Sequence, residues 1–333
     1  MNSYLGKSMK QELLNYLSKY YLGYRDKVTF DSDITFGVEV EVLTKHLYYP
    51  AQYCDNIVDL RNRVMKKDMD YIVAYEDYDD MVVGGELISP ILINLEDCWQ
   101  NLKSTVEEFI KYTGDAQITY HTAGHIHLGH DILKEGDLVK LVKLYAAFEP
   151  IIFRFAAGEF LNIRAGATSY AKPIAKKVKD FTGSDEDIIS KLCFDGNVGT
   201  LMIPFKYNGL NLSNLISGND TLEFRVPNGT LSLPIWQNNV NFFAHLLMAV
   251  NNYDEELIDY YLSNLSFPFN DRAIVREYNK VLDFDRALEL ADIVFTDELD
   301  KLYFLRQYLK DGKIASEEII NGYQLEKSAP FVR

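Results

Sequence analysis

Apolar residues at 8–24 recur at helical spacing, with Leu13, Leu14, Leu17 and Tyr21 on one face, and predict an amphipathic helix. The period changes at 35–45, TFGVEVEVLTK, where Val38, Val40 and Val42 alternate with Glu39 and Glu41. Strict alternation among valines predicts a strand, with the valines on one face and the two glutamates on the other. After a variable polar stretch at 46–70, residues 71–92 predict two strand segments joined by the turn EDYDD, the second carrying Glu86 and closed by Pro90. A helix follows, with Asn94 as N-cap, a stripe from Leu95 through Trp99 and Val106 to Ile110, and Gly114 at its end. AQITYHT and AGHIHLG predict a strand pair, and a helix is expected from about Gly136 to Phe155. Residues 156–200 are rich in glycine and polar side chains and show no clear period. FKYNGLNLSNLI and DTLEFRVPNGTL predict paired strands, and 234–312 reads as helical.

This order predicts an α+β fold, with antiparallel strands in the first two thirds and helices packed outside and at the C-terminus. No internal repeat, low-complexity segment or linker interrupts the chain. One domain over 1–333 is expected, its sheet spanning about 30–235 and its C-terminal helical part about 236–333.

Charge narrows the function classes. The chain has 34 Lys+Arg against 49 Asp+Glu, a formal net charge of -15, which repels nucleic-acid backbones. The nearest thing to a basic patch is AKPIAKKVK at 171–179, too small for a nucleic-acid footprint and better read as a local phosphate contact or a solvated helix face. Hydrophobic residues at 47%, with 23 Tyr and 19 Phe, predict a packed globule whose aromatics are core. The N-terminus lacks the apolar run of a signal peptide, and YAAFEPIIFRFAAG is broken by Glu149 and Arg154, so no membrane span is expected. Cys54, Cys98 and Cys193 have no metal-ligand spacing, and three scattered thiols fit a reducing cytoplasm.

Three more segments share the oddity of the VEVEV strand. GHIHLG places His125 and His127 on one face, TLEFRVPNG places Glu223 and Arg225 together, and GGELISP offers Glu86 beside two glycines. Strand residues two apart are separated by roughly 6.6 Å, so neighbouring carboxylates suit two adjacent cations better than one. Converging carboxylates repel unless protonated or bridged by a cation. Hard oxygen donors with one imidazole suit Mg²⁺ or Mn²⁺, and Arg offers a planar fork to phosphate oxygens. There is no GxxxxGKS loop and no dinucleotide fingerprint, so any nucleotide must be held by ions on the sheet.

In their order FGVEVEV, GGELISPIL, AGHIHLG and LEFRVPNGTL resemble the amidoligase family of the glutamine synthetase/glutamate–cysteine ligase superfamily, over about residues 34–235. NIRAGATSYAKP and KYNGLNLSNL resemble that family's middle segments, although RAGATSY departs from its R-x-x-N-x-Y pattern. The resemblance implies a glutamine synthetase-like catalytic fold, a curved antiparallel sheet forming a funnel with ATP at one mouth and acceptors at the other. It implies that Glu41 and Glu86 hold one ion, while Glu39, His125 and Glu223 hold the ion bridging the nucleotide phosphates. By the same match His127 contacts a phosphate, Arg225 stabilises the transferring phosphoryl group, and Arg164 clamps the substrate carboxylate or acyl phosphate. Asn211 lies on a strand facing the funnel and is assigned to the cofactor side. The activity implied is an ATP- and Mg²⁺-dependent carboxylate–amine ligase, with Mn²⁺ as the substitute metal and small-molecule or peptide carboxylates and amines as substrates.

Rival readings stay in view. HIHLGHD resembles the His-x-His pairs of metal-dependent hydrolases, with His130 and Asp131 as further ligands, but only His245 follows and its apolar stripe marks it as core. Phosphoryl transfer to a guanidino group and a catalytically dead nucleotide-binding module are the other two. The variable stretches 46–70 and 174–200 are expected to shape the acceptor mouth, while oligomeric state is not encoded in any motif.

Overall fold

The computed structural model describes residues 6–44, 65–66, 72–73, 82–113, 117–118, 122–160, 163–164, 166–194, 204–264, 283–310 and 324–325. The turn EDYDD, Gly114, Cys54, all but two residues of the variable stretch 46–70, and 195–200 of the stretch 174–200 lie outside them. The architecture is mixed α+β. Its central strands are β1 (Phe36–Thr44), β4 (Val82–Ile88), β6 (Gly124–Gly129), β7 (Leu210–Asn211) and β8 (Thr221–Phe224), antiparallel in the order β4-β1-β6-β8-β7. Four two-residue strands extend the sheet: β2 (Met65–Lys66) and β3 (Ile72–Val73) pair with β4, β5 (Gln117–Ile118) pairs with β1, and β9 (Gln324–Leu325) runs parallel to β5.

Alternation sets the faces of the sheet as the sequence predicts. Val38, Val40, Val42, Ile126, Leu128, Leu222 and Phe224 are each at most 1% exposed. Behind β1 lies α2 (Glu96–Thr113), whose Trp99 stacks on Phe36 with ring centroids 4.7 Å apart. Asn94 does not cap this helix. Its amide donates to the Val28 and Phe30 carbonyls at 2.9 and 2.6 Å and accepts from Trp99 Nε1 at 2.8 Å, tying the entry to β1 against the helix.

Three other expectations change. The helix read as running to Phe155 is two, α3 (Asp137–Ala147) and α4 (Glu149–Ala156), because Pro150 cannot donate into a continuous helix and Phe148 leaves helical geometry at φ -117°, ψ 14°. AQITYHT and AGHIHLG do not form a hairpin among the described residues; β5 and β6 both lie on one edge of β1. The first helix, α1 (Lys7–Leu17), stops before Tyr21. Beyond the sheet, α9 (Leu233–Ala249) crosses the core, and α11 (Phe284–Val294) and α12 (Glu298–Leu309) close it, giving a hydrophobic cluster that runs from Leu17 to Leu309.

One polar knot around the buried Asp300 ties α9 and α12 to the segment before β1. Asp300 is 0% exposed and accepts from Arg25 Nη1 at 2.6 Å and from the Thr29 hydroxyl, while Thr29 Oγ1 lies 2.7 Å from His245 Nε2. Burial holds the His245 pKa below its ordinary value; the Asp300 carboxylate opposes this and the Arg25 charge adds to it. The unfolded chain protonates this histidine near pH 6.5 and the folded chain resists. Its contribution is therefore full above that pH and declines as pH falls below it. Between about pH 7.5 and about pH 5.5 the urea midpoint of the wild type should fall further than that of His245→Gln; parallel curves would show that His245 is not the group responsible.

Candidate active site

Register dictates which polar side chains meet. Glu39 stands opposite His125 and Gly37 opposite His127 across β1 and β6; His127 stands opposite Glu223 across β6 and β8, and Asn211 opposite Glu223 across β7 and β8. On the other side of β1, Glu41 is in register with Glu86. Directly opposed residues share a face of the sheet, so five strands carry one polar surface.

At its centre Glu39 bridges both imidazoles. Its Oε2 lies 2.9 Å from His125 Nδ1 and its Oε1 3.2 Å from His127 Nε2. Burial alone would push the Glu39 carboxyl up, but the two imidazole contacts hold it well below the usual carboxylate range. Glu223 is held from three directions: Arg225 Nη1 donates to Oε1, Asn211 Nδ2 donates to Oε2 at 2.6 Å, and His125 Nδ1 stands 3.8 Å from Oε1. Its burial is outweighed by the Arg225 charge and by both histidines, so it too stays below the ordinary range. Burial lowers the His125 pKa, whereas for His127 the Glu39 contact and the neighbouring carboxylates overcome burial and raise it.

One carboxylate oxygen each from Glu39 and Glu223 and one ring nitrogen of His127 lie within 4.8 Å of one another. Two hard oxygens and one imidazole nitrogen fit Mg²⁺ or Mn²⁺. The set partly departs from the sequence assignment, because it contains His127, expected on a phosphate, and leaves out His125, expected as a ligand. His125 stands next to the set, its Nδ1 2.9 Å from Glu39 Oε2 and 3.8 Å from Glu223 Oε1, and is almost wholly buried.

The remaining assigned residues divide between the surface and its support. Glu41 accepts a hydrogen bond from Ala123 N at 2.7 Å through Oε2. Glu86 is placed beside it by backbone register alone. Asn211 is 1% exposed and spends its amide on Glu223 and on Ser213 N, so it braces a carboxylate. Arg164 is likewise buried, with Nη1 donating to Pro227 O at 2.6 Å and Nη2 to Arg225 O at 2.8 Å. These backbone contacts fix the strand exit that carries Arg225. Burial lowers the Arg164 pKa to about 10, with the Glu41 charge opposing. Arg225 donates through Nε to Tyr170 O at 3.1 Å, and its Nη2 bonds none of the described residues.

Asn214, which no sequence signal singled out, touches His127. Its Nδ2 is 3.3 Å from His127 Nδ1 and 3.2 Å from Thr221 Oγ1. A partner on one ring nitrogen fixes which nitrogen carries the proton and steadies the ring. Asn214 sits on α8 (Ser213–Ser217), which ends at Gly218 with φ +80°, a left-handed geometry that suits glycine. The sequence pattern predicts a strand over this segment, and the helical turn replaces it.

A cavity of about 350 Å³ opens beside His127. Gly37, Glu39, Ile88, Ile91, Asn214 and Thr221 are among its lining residues. The hydrolase constellation does not assemble: His130 Nδ1 lies 3.0 Å from the Asp220 carbonyl, Asp131 is exposed, and His245 belongs to the Asp300 knot.

Comparison with known proteins bears on this site directly. A family model described as "Putative amidoligase enzyme" matches residues 51–247, more than half of the chain. The matched span contains Glu86, His125, His127, Arg164, Asn211, Glu223 and Arg225, while Glu39 and Glu41 precede it. No curated protein matches the chain. No helix among the described residues is long and apolar enough to cross a membrane.

Proposed function

This chain belongs to the amidoligase family, and from that premise we propose that it is an ATP-dependent carboxylate–amine ligase working through an acyl phosphate. The observation that carries the reading is the convergence of Glu39, His127 and Glu223 beside Arg225 and an adjoining cavity. Such a cluster on an acidic chain suits a magnesium nucleotide. A bound Mg²⁺ or Mn²⁺, held by Glu39, His127 and Glu223 with Glu41 and Glu86 near a second ion, would supply charge neutralisation for phosphate oxygens. On this reading the sheet is of the glutamine synthetase-like, funnel-forming kind. The nucleotide takes the cavity end and the acceptors the Arg225 end.

In the first step a substrate carboxylate oxygen bonds the γ-phosphorus as the bond to ADP breaks, giving acyl phosphate and ADP. An amine nitrogen then bonds the acyl carbon, the carbon–oxygen bond to phosphate breaks, and the amine proton passes to a sheet carboxylate or to phosphate. Arg225 turns its unused Nη2 toward the developing phosphoryl charge. Glu223 and the Tyr170 carbonyl hold its guanidinium, and Arg164 and Asn211 fix those supports from below. A reducing, ATP-supplied compartment such as the cytoplasm suits the free Cys98 and Cys193, the latter thiol pushed up to about 11 by burial.

A screen of carboxylate and amine pairs with ATP and Mg²⁺, read as ADP, free phosphate and product mass, tests the reading. Both ADP and phosphate should accumulate when carboxylate and amine are present together. A phosphorylated product without free phosphate would replace it with guanidino-type phosphotransfer, and no ADP at all would leave a binding module. In the same assay Arg225→Ala should lower the rate about 10²- to 10³-fold. A non-hydrolysable ATP analogue should raise the melting temperature only with Mg²⁺.

A further inference from the structure

The lysines of AKPIAKKVK are the one feature of the charge pattern that the site has not absorbed, and the fold brings them to Arg225. Lys172 N donates to Tyr207 O at 2.7 Å and Gly209 N to Lys172 O at 2.8 Å, while Arg225 N donates to Gly209 O at 2.9 Å. Three consecutive backbone links thus join the lysine segment to the end of β8. The segment is also rigidly seated. The buried Glu149 carboxylate accepts from Ile174 N at 2.6 Å and Ala175 N at 2.9 Å.

What this surface presents is cationic and aromatic. Tyr170 packs edge-on to Tyr207 with centroids 5.6 Å apart, and Tyr207 packs edge-on to Phe205 at 5.6 Å. Lys172 Nζ lies 5.1 Å from the Phe205 centroid and Lys206 Nζ 5.8 Å from that of Tyr207. Among the described residues neither lysine forms an ion pair, although the chain carries 49 acidic side chains against 34 Lys+Arg. Elsewhere lysines find carboxylates: Lys143 takes Glu255 and Asp259, and Lys301 takes Asp292 and Glu298. Tyr170 is 51% exposed, and Lys206 is exposed as well. Ammonium groups seated on rings and left without counter-charges form a surface ready for an anion.

We propose that this surface beside Arg225 binds an acidic peptide, whose side-chain carboxylates meet Lys172 and Lys206 while its backbone lies along the aromatic rungs. The rungs fit a chain better than a single amino acid, because two steps of 5.6 Å span roughly three residues of extended peptide at about 3.3 Å each. Carboxylates fit better than phosphates, since the surface offers single ammonium groups, Lys172 and Lys177 each 5.1 Å from the Phe205 centroid, and among the described residues no guanidinium fork other than that of Arg225. Calling the peptide an acceptor substrate rests on the ligase reading above; its binding does not.

The test is fluorescence anisotropy of labelled hexaglutamate with the full chain in the absence of ATP, against hexaglutamine as the neutral probe. Hexaglutamate should bind, hexaglutamine should not, and Lys172→Gln/Lys206→Gln should weaken binding about tenfold. The exposed pair Lys19→Gln/Lys27→Gln, in the segment before β1, makes the same change of net charge and should leave the affinity unchanged. No binding, or equal losses in the two double variants, would overturn the proposal. Displacement by inorganic pyrophosphate at lower concentration than by unlabelled hexaglutamate would overturn it in favour of a phosphate site. ADP release plays no part in these measurements, so they fail or succeed separately from the ligase assignment.

Discussion

Replacing Glu39 or Glu223 with alanine should cut ATP turnover by roughly 10³-fold or more, the upper end of what one electrostatic group contributes. Glu39 is the single acceptor shared by His125 Nδ1 and His127 Nε2, and Glu223 is the shared acceptor of Arg225 and Asn211. Losing either removes a donor atom of the candidate cation site and also releases two neighbours from their fixed positions. The fold should survive, since the opposite faces of β1 and β8 keep Val38, Val40, Leu222 and Phe224 in the core. Some stability is lost through unpaired buried groups, at about 1–3 kcal/mol each. Glutamine at the same positions separates the two effects, because it keeps a hydrogen-bond acceptor and discards the charge. Both Glu39→Gln and Glu223→Gln should also weaken Mn²⁺ binding, followed by paramagnetic resonance of the free ion. Turnover and Mn²⁺ affinity unchanged in a folded Glu39→Gln protein would remove Glu39 from the site.

The largest stability effect lies at the other end of the molecule. Asp300→Ala should cost about 3–5 kcal/mol, read as a lower urea midpoint with an unchanged slope. Asp300 is 0% exposed, and its carboxylate neutralises Arg25, whose guanidinium sits 4.5 Å over the Tyr303 ring. Removing it strands that cation in a site where Nε and Nη2 are already buried without partners. The Thr29 hydroxyl loses its acceptor in the same stroke. Asp300→Asn keeps an oxygen for Thr29 and should cost less, and equal losses for Ala and Asn would mean that the Thr29 hydrogen bond contributes nothing beside the charge pairing. Turnover per folded molecule should be unaltered in both, since this knot touches none of the groups around Glu39.

Much of this was legible in the chain because strand alternation is a local signal. VEVEV, HIH and LEFR each separate core from polar face at a period of two, and those faces are where the structure puts them. What alternation cannot carry is side-chain direction after the Cβ. His125 and His127 are equivalent in the pattern, yet one lies buried against Glu39 and the other joins the cation set. Arg164 and Asn211 looked like groups reaching for a ligand, and the structure spends them on carbonyls and on Glu223. Asn94 had the composition of a cap, but a nearby Trp99 and two carbonyls competed for its amide and won. Asn214 was invisible because its partner is 87 positions away and its helical turn is five residues long.

The family match begins at residue 51, whereas β1 occupies 36–44 between β4 and β6. A shortened protein cut to the matched span would therefore lose the seam of its sheet, leaving two unjoined flaps with bare edges ready to stick to other chains. Anyone trimming this molecule for expression has to keep the first fifty residues, because the strand that holds the halves together also delivers the glutamate at the centre of the site.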